Sequence, residues 1–425
     1  MHKARGAVLP IVLAILFAFA ANADSQTCLT SGCLDSTFGQ NGQTIFQPAT
    51  TGTIAHRNSV LQSDNKIVTL LQTNVSVRNI LARLNPDGSL DNTFGTGGYV
   101  YMTWGGTGSG VAYALTKQVI AGEERFVTAG WAPCGRKSCL RVERYTSSGS
   151  LDTTFGSGGV ATISAIETAT IVTVQPTDQK ILLLGSGTVS RLTAGGLLDP
   201  TFGSNGTSNA AGFAPSNVTA TATGKIFVCG SLSVRKASYL AVASLNGNGS
   251  LDTTFGNGGR ATADFAGTPF SVIVDPVGRI IVAGQAQLAE SSSLDAILAR
   301  FLAGGQIDAS FGTGGKTRLD MGGGQDLFKS VAVQSNGKIV ATGEGRFAGH
   351  TADFLTAAYS DDGSAHMAFG SGGWVMTDMF GLYDQAQSVL VQSDPACGCE
   401  KIIVVGAGTV AAPATYQTVA LRYVP

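Results

Sequence analysis

The sequence predicts an all-β protein, a seven-bladed β-propeller, and three observations lead to this prediction. A Leu-Asp-x-x-Phe-Gly phrase recurs in seven copies about 55 residues apart, short apolar runs separate the copies, and helical periodicity is absent. Glycine fills 57 of the 425 positions, as expected for many tight turns between packed strands. Each copy is therefore expected to form one blade.

The copies of the phrase differ little from one another. One copy has Ile307 in place of leucine, and the seventh has Ala365-His366 in place of Leu-Asp. A basic residue followed by an apolar run that ends in glycine also recurs, as in Lys180–Gly185 and Arg279–Gly284. The phenylalanines of the seven copies are Phe38, Phe94, Phe155, Phe202, Phe255, Phe311 and Phe369. Such a period indicates units that bury their apolar faces only against neighbouring units.

Each copy predicts four short strands. In the sixth copy they are Lys316–Met321, Ser330–Gln334, Lys338–Thr342 and Phe354–Tyr359, with Asn336-Gly337 in the hairpin turn between the second and the third. These runs are apolar almost throughout, which is typical of sheets covered on both faces by their neighbours.

The two ends of the array predict a closed ring. The first copy starts within the phrase at Leu34-Asp35, and the chain ends directly after the apolar strand Val419–Tyr423. An open solenoid would need polar caps at such ends. We therefore expect the N-terminal strand Gln43–Phe46 to pair with the last blade and complete it.

Residues 1–23 are predicted to be a secretory signal peptide, and residues 24–425 to form a single propeller domain. A short basic segment precedes an apolar run from Ala7 to Ala21, and Ala21-Asn22-Ala23 is a cleavage site of the A-x-A type. We expect a secreted or periplasmic protein. No later stretch approaches the ~18 apolar residues of a spanning helix, so no membrane span is expected after cleavage.

Export makes disulfides possible. Cys28 and Cys33 are five residues apart around a predicted turn, as are Cys134 and Cys139. A local disulfide is sterically easy at this spacing, and we predict one in each pair.

The other cysteines are read differently. Cys397 and Cys399 flank one glycine, and their sequence leaves open a local disulfide, a redox role or a metal role. Cys229 lies within an apolar run and is expected to be a buried, inert thiol.

Charge and the recurring aspartate limit the chemistry that we expect. The 27 basic and 28 acidic residues nearly cancel, which argues against nucleic acid as a partner. The segment Asn85–Asp91 resembles the middle of a calcium-binding loop, but no copy has the glutamate that ends such a loop. We expect the aspartate to accept backbone N–H groups in an Asx turn. No cofactor is predicted, with calcium as the alternative.

Two copies carry the phrase in its fullest form, Ser150–Gly159 and Ser250–Gly259, both Ser-Leu-Asp-Thr-Thr-Phe-Gly-x-Gly-Gly. They resemble the signature of the delta-60 repeat family of exported bacterial proteins. The resemblance covers nearly all of the chain after the signal and implies a propeller-like repeat fold and export. It implies no activity, cofactor or catalytic residue.

Candidate site residues lie where the copies differ, because binding sites usually lie on loops carried by a rigid scaffold. His350 and Asp353, next to Arg346, form the one local group suited to acid–base work, and they are weak catalytic candidates. The binding candidates are Trp104, Trp131, Asp326, Arg346, Phe380, Tyr383 and Asp384.

We therefore expect a monomeric binding scaffold that takes a glycan or a protein ligand through loops on one face. One alternative is a secreted hydrolase or lyase with carboxylates, with or without a metal, at the central channel. The other is a structural component of a surface or matrix. The sparse histidines favour a non-enzyme.

Overall fold

The computed structural model of the protein describes residues 30–48, 54–73, 79–104, 110–185, 187–235, 237–288, 293–410 and 415–425. In this part of the chain the regular structure consists of 27 β-strands. A helix long and apolar enough to cross a membrane is not found among these residues. The predicted signal peptide and Cys28 lie outside the described residues.

The strands alternate with short turns along the chain, as the repeated apolar runs predict. In chain order they are β1 (Gln43–Phe46), β2 (Ile54–Leu61), β3 (Ile67–Thr73), β4 (Asn79–Leu84), β5 (Tyr99–Met102), β6 (Val111–Ile120), β7 (Glu123–Cys134), β8 (Lys137–Thr146), β9 (Val160–Ile163), β10 (Ile171–Val174), β11 (Ile181–Gly185), β12 (Thr188–Leu192), β13 (Thr207–Ser208), β14 (Ala214–Ala220), β15 (Ile226–Val234), β16 (Ala237–Leu245), β17 (Arg260–Val274), β18 (Ile280–Ala286), β19 (Asp295–Phe301), β20 (Lys316–Leu319), β21 (Leu327–Val333), β22 (Ile339–Gly345), β23 (Asp353–Tyr359), β24 (Trp374–Thr377), β25 (Asp384–Asp394), β26 (Cys399–Val410) and β27 (Thr415–Tyr423).

Within the described residues the strands form five four-stranded sheets and one seven-stranded sheet, all antiparallel. The strand orders are β2-β3-β4-β5, β6-β7-β8-β9, β10-β11-β12-β13, β14-β15-β16-β17-β18-β19-β20, β21-β22-β23-β24 and β1-β27-β26-β25. Chain neighbours are therefore sheet neighbours in all but the last sheet, because tight turns join successive strands.

The seven-stranded sheet consists of two runs of four strands that share β17. The first part of β17 pairs with β16, with Arg260 opposite Ala243. The second part pairs with β18, with Val274 opposite Ile280. One strand thus ends one run and begins the next without an intervening loop.

The last sheet takes its outer strand from the beginning of the described chain. β1 pairs with β27, with Gln43 opposite Leu421 and Phe46 opposite Thr418. An isolated bridge also joins Leu34 to Tyr423. The two ends of the described chain therefore meet in one sheet.

The core lies in layers between adjacent sheets. One such layer contains Ile281 of β18, Phe328 of β21 and Leu355 of β23, with Phe311 between the sheets. This packing explains why the strands are apolar on both faces, as the sequence predicts.

The Leu-Asp-x-x-Phe-Gly phrase forms the same turn in successive copies. In the second copy, Thr93 donates from its backbone N and its Oγ1 to Oδ1 of Asp91, at 3.0 and 2.6 Å. Oδ2 of Asp91 lies 2.8 Å from Nε of Arg83, whose guanidinium is 4.5 Å from the ring centre of the buried Phe94. The Asx turn expected from sequence is therefore present, and it directs the phenylalanine into the core.

The Arg–Asp pair recurs in most copies of the phrase. Burial opposes ionisation of Asp91, but hydrogen bonds from Thr93 and the nearby charges lower its pKa to about 2. In one copy Ser244 stands at the position of the arginine, and Asp252 forms its ion pair with Lys225, whose Nζ lies 2.7 Å from Oδ2. The other pairs are Arg144–Asp152, Arg191–Asp199, Arg300–Asp308 and Arg422–Asp35.

Hydrogen bonds link each phrase to the following copy. The glycine after the phenylalanine donates its N–H to a carbonyl in the next turn, as Gly95 does to Ser148 at 3.0 Å. The equivalent bonds run from Gly39 to Asp87, Gly156 to Gly195, Gly203 to Asn248, Gly256 to Gly304, Gly312 to Asp362 and Gly370 to Ser31. The bond from Gly370 joins the seventh copy to the segment that precedes the first.

A β-bulge recurs in the first strand of the four-strand runs. In β21 the register shifts between Phe328 and Ser330, so that Lys329 is left out of the pairing. Gly343 lies beside this bulge, where a Cβ atom would clash with the carbonyl of Leu327. The bulge turns Lys329 out of the sheet toward a cavity that its side chain lines.

Candidate functional site

The antiparallel strand order gives the sheets two ends. One end of the sheets carries the loops between the second and third strands of each four-strand run and the connections to the next run. We call this end the loop end. In the sixth copy it carries Arg346–Ala352 and Asp378–Tyr383. The opposite, turn end carries the hairpins and the Leu-Asp-x-x-Phe-Gly turns.

All nine candidate residues from the sequence lie at the loop end. They are Trp104, Trp131, Asp326, Arg346, His350, Asp353, Phe380, Tyr383 and Asp384. They fall into two groups: the two tryptophans lie beside β5 to β8, and the other seven beside β21 to β26. In the described part of the chain, contacts join residues of the same group, and none joins a tryptophan of the first group to a residue of the second.

The two tryptophans contact each other but differ in exposure. Trp104 is fully buried and donates from Nε1 to the carbonyl of Trp131 at 2.7 Å. Trp131 is half-buried, and its Nε1 donates to the hydroxyl of Tyr113 at 3.2 Å. Trp104 therefore supports the backbone on which the more accessible Trp131 stands.

Asp326 is fully buried and holds two backbone segments together. Its Oδ2 accepts the N–H of Met321 and its Oδ1 accepts the N–H of Arg346, both at 2.8 Å. Burial raises the pKa of Asp326 to about 6, although these two hydrogen bonds favour the carboxylate. This carboxyl group thus positions the loop that contains Arg346.

Asp384 has the same role one copy later. It accepts the N–H of Met379 at 2.7 Å and the N–H of Thr409 at 3.2 Å, and it is also fully buried. Burial, assisted by the charges of Asp378 and Asp353, raises its pKa to about 6.

Asp353, Asp378 and Asp384 form a cluster in which one oxygen of each lies within 4.8 Å of the others. Burial and the charge of Asp378 raise the pKa of Asp353 to about 6, while the exposed His350 acts in the opposite direction. Three carboxylates at this separation could hold a hard cation such as Ca²⁺.

The equivalent cluster one copy earlier contains a cation of the protein. Asp295, Asp320 and Asp326 satisfy the same distance criterion. Nε of Arg318 lies 2.6 Å from Asp295, and its Nη2 lies 2.7 Å from Asp320. The guanidinium therefore already neutralises part of this second cluster.

Tyr383, Phe380 and Arg346 form the rest of the second group. The hydroxyl of Tyr383 donates to Oε2 of Glu344 at 2.6 Å, and burial together with Glu344 raises the pKa of Tyr383. Phe380 and Arg346 are half-buried, and Phe347 beside Arg346 is exposed. Aromatic rings and a guanidinium thus stand at the surface of the loop end.

The sequence missed the residues that line a cavity between the first strands of the runs. This cavity of about 420 Å³ is bounded by Arg57, Thr170, Phe270 and Lys329, among others. A neighbouring cavity of about 300 Å³ shares Arg57 and Thr170 with it and adds Tyr113. The bulge that places Arg57 and Lys329 here is visible only in the strand register, so no signal in the sequence marks these positions.

A larger cavity of about 1050 Å³ lies away from the candidate residues. It is bounded by Asp264, Lys316 and the turn Asp362–Ala365, and Nζ of Lys316 lies 3.4 Å from Asp264. None of the nine candidate residues is in its lining.

The cysteines agree with the sequence predictions where the structure describes them. Cys134 and Cys139 form the predicted disulfide, with their α-carbons 5.9 Å apart. Cys397 and Cys399 are also joined, with α-carbons 5.1 Å apart, which selects the local disulfide among the three alternatives. Cys229 is a buried free thiol, and burial raises its pKa to about 12. That thiol is inert at neutral pH.

A family model described as a domain of unknown function (DUF5122), β-propeller, matches residues 62–94, 221–255 and 278–311. Each matched segment ends at the phenylalanine of a phrase. This match and the antiparallel sheets together support a β-propeller fold. No curated protein matches the chain in sequence.

Several solved structures are similar in overall fold. A catalytically inactive variant of virginiamycin B lyase from Staphylococcus aureus, with quinupristin, has 8% identity and a TM-score of 0.49, covering 89% of this chain and 99% of that one. Sqt1 from Chaetomium thermophilum, bound to the N-terminus of a ribosomal protein, has 13% identity and a TM-score of 0.49, covering 89% and 98%. An α-L-arabinofuranosidase from Fusarium graminearum, with an iminosugar inhibitor, has 11% identity and a TM-score of 0.40, covering 89% and 96%. Because these TM-scores are below 0.5, none of the three lends this chain an activity or a ligand.

Proposed function

We propose that the protein is an exported binding scaffold, a closed seven-bladed β-propeller that takes a glycan or protein ligand at its loop end. The observation that carries this proposal is that the non-repeated aromatic and charged residues lie at that end, in the two groups described above. The opposite end is occupied by the repeated turns, which leave little room for specificity.

The closed ring of seven blades is supported by three contacts. β1 pairs with β27, Gly370 donates to Ser31, and Arg422 lies 2.9 Å from Asp35. The shared strand β17 accounts for the seven-stranded sheet as two blades joined without a loop. Residues from the first strands of all seven copies contribute to the two neighbouring cavities.

Export is supported by the disulfides Cys134–Cys139 and Cys397–Cys399, because disulfides persist outside the cytosol. The predicted signal peptide would direct that export. The repeated phrase further supports membership of the delta-60 repeat family. We also propose that the protein is a monomer.

Trp131, Arg346, Phe380 and Tyr383 are the residues that we propose to contact the ligand. Aromatic rings stack on sugars and serve as anchors in protein interfaces. The fully buried Trp104, Asp326 and Asp384 would act indirectly, by holding these residues in place.

The proposal is tested with the secreted protein on glycan arrays and with extracellular proteins of its host. A variant with Trp131→Ala, Phe380→Ala and Tyr383→Ala should lose at least tenfold in affinity. A matched variant at the turn end, with the exposed Leu197→Ala and Val277→Ala, should bind like the wild type. Absence of any saturable ligand would favour a structural component instead.

A hydrolase or lyase is the second candidate, favoured by the carboxyl groups with raised pKa at the loop end. An acid with a pKa of about 6, as at Asp353, is suited to proton transfer near neutral pH. Replacing His350 and Asp353 together should then abolish a measured activity while the fold is retained. Asp326 and Asp384 are left unchanged in this variant because they hold the loop backbone.

A further inference from the structure

Arg57 and Lys329 line the same cavity without a carboxylate partner. Among the described residues that line it, none is an aspartate or glutamate. No ion pair within the described part of the chain involves either side chain, whereas Arg83, Arg144 and Arg300 each lie within 3 Å of an aspartate. Two basic groups thus face one cavity with no acidic group between them.

The two cations occupy equivalent positions in different copies. Arg57 lies at the register shift between His56 and Asn58 in β2, as Lys329 lies at the shift in β21. Their present neighbours are uncharged. Nε of Arg57 donates to Oε1 of Gln72 at 2.9 Å, and Nζ of Lys329 lies 4.3 Å from the ring centre of Phe270.

The neutral side chains around the cavity have hydrogen-bond donors to offer. Ser388 accepts the N–H of Ser59 at 3.1 Å, and Ser330 accepts the N–H of Val389 at 3.2 Å. Each of these hydroxyl oxygens is used as an acceptor, so its O–H remains to donate. The cavity therefore presents donors and positive charge to whatever enters it.

Half-buried charge without a counter-ion is unfavourable, and burial lowers the pKa of Arg57. An oxyanion would relieve this cost, since hydrogen bonds between a cation and an oxyanion are strong and are matched by hydroxyl donors. The volume of about 420 Å³ exceeds what one inorganic ion needs and is in the range of small-molecule sites.

We propose that this cavity binds the anionic group of a small ligand, a carboxylate, phosphate or sulfate, between Arg57 and Lys329. The proposal rests on the closed ring proposed above and adds a site separate from the exposed residues of the loop end. The ligand class of this site is anionic, which the exposed residues of the loop end do not indicate by themselves.

The test is calorimetric titration of the whole secreted protein with phosphate, sulfate and glucuronate at constant ionic strength. We expect saturable binding by the wild type, a loss of about tenfold in affinity for Arg57→Gln or Lys329→Gln, and no detectable binding by the double variant. Lys329→Arg keeps the charge and should keep binding. Arg136→Gln, at an exposed arginine of the β7–β8 hairpin, should bind like the wild type.

The outcomes separate the sources of the anion and the two proposals. Tighter binding of glucuronate indicates an acidic sugar, and equal binding of the inorganic ions indicates a free oxyanion. Absence of saturable binding by the wild type, or unchanged binding by a folded double variant, overturns the proposal. The Trp131, Phe380 and Tyr383 variant should still bind the anion, so failure of the loop-end proposal is seen separately.

Discussion

Arg422 in the last strand and Asp35 in the first phrase form an ion pair, with Nε 2.9 Å from Oδ2. Arg300 and Asp308, within one continuous segment, form the same pair at 2.7 Å. The guanidinium of Arg422 also lies 4.9 Å from the ring centre of Phe38, like that of Arg300 over Phe311 at 4.4 Å. The contact between the two ends of the described chain therefore reproduces an internal turn.

Asp35→Ala should destabilise the protein as much as Asp308→Ala, by about 3 kcal/mol each, because each removes the nearest carboxylate of a buried arginine. Urea unfolding of the two variants beside the wild type measures this. If the ring is open at this point, Asp35→Ala should lower the free energy of unfolding by less than about 1 kcal/mol, while Asp308→Ala should still lower it by the full amount.

His56→Phe should reduce the acid sensitivity of the fold. His56 is buried, with Nε2 2.9 Å from Oγ of Ser59, and burial together with Arg57 lowers its pKa to about 3. The unfolded chain takes up this proton near pH 6.5, so the stability from neutral His56 is complete above that pH and is lost as the pH falls toward 3. Phenylalanine, found at the equivalent Phe328, has no such proton.

On going from pH 7 to pH 4, the wild type should therefore lose about 3 kcal/mol more of its free energy of unfolding than His56→Phe does. Urea unfolding at several pH values measures this difference. Parallel stability curves for the two proteins would show that His56 is not held neutral.

Asp353→Asn should stabilise the protein at pH 7 by about 1–2 kcal/mol. The pKa of Asp353 is raised to about 6, so the folded state favours the protonated form. The contribution of protonated Asp353 to the free energy of unfolding is therefore present in full below about pH 4, and it is lost as the pH rises through 6. Asparagine removes the cost of burying a carboxylate and the repulsion from Asp378, and the advantage should vanish at pH 4.

Asp320→Asn is the matched control for Asp353→Asn, because Asp320 already pairs with Arg318 at 2.7 Å. It should not stabilise the protein at pH 7. Thermal unfolding without divalent cations compares the two variants, and equal gains for both would contradict the role of charge repulsion.

Replacing both Cys134 and Cys139 by serine should lower the free energy of unfolding by about 2 kcal/mol, the entropic value for a short loop. The hairpin of β7 and β8 should persist, because the two strands are paired along their length. Cys134 lies opposite Lys137 at the turn, and Arg125 lies opposite Thr146 at the other end. Unfolding of the variant and of the wild type, each with and without a thiol reductant, provides the control, because a reductant also opens Cys397–Cys399. A variant as stable as the oxidised wild type would contradict the prediction.

The repeated turns could be predicted from sequence because their contacts are local. Asp91 and Thr93 are two residues apart, and Phe94 follows directly. The detail of the hairpins was harder to predict. An Asn-Gly turn is typical of hairpins in which both residues adopt positive φ, but of Asn336 and Gly337 only Gly337 does so, at +86°. The unbroken β17 was not predictable either, since no local signal distinguishes a loop from a continued strand there.

The sequence indicates where the candidate residues lie better than it indicates what each of them does. Strand order alone carries Asp326 and Asp384 to the loop end, but their partners Arg346 and Thr409 come from segments distant in sequence. Their burial therefore could not be read from the chain. Lys329 was missed because its direction depends on a bulge that forms only against Gly343.

The strand β17 has a mechanical consequence for the molecule. Because its backbone is hydrogen-bonded to β16 along one part and to β18 along the other, the two flanking sheets cannot swing apart without breaking strand pairing. Other neighbouring sheets are joined by connections outside the strands, such as Asp378–Tyr383, whose backbone does not take part in strand pairing. A rearrangement that separates neighbouring sheets should therefore begin at those connections rather than within the β14–β20 unit, where it would have to break backbone hydrogen bonds.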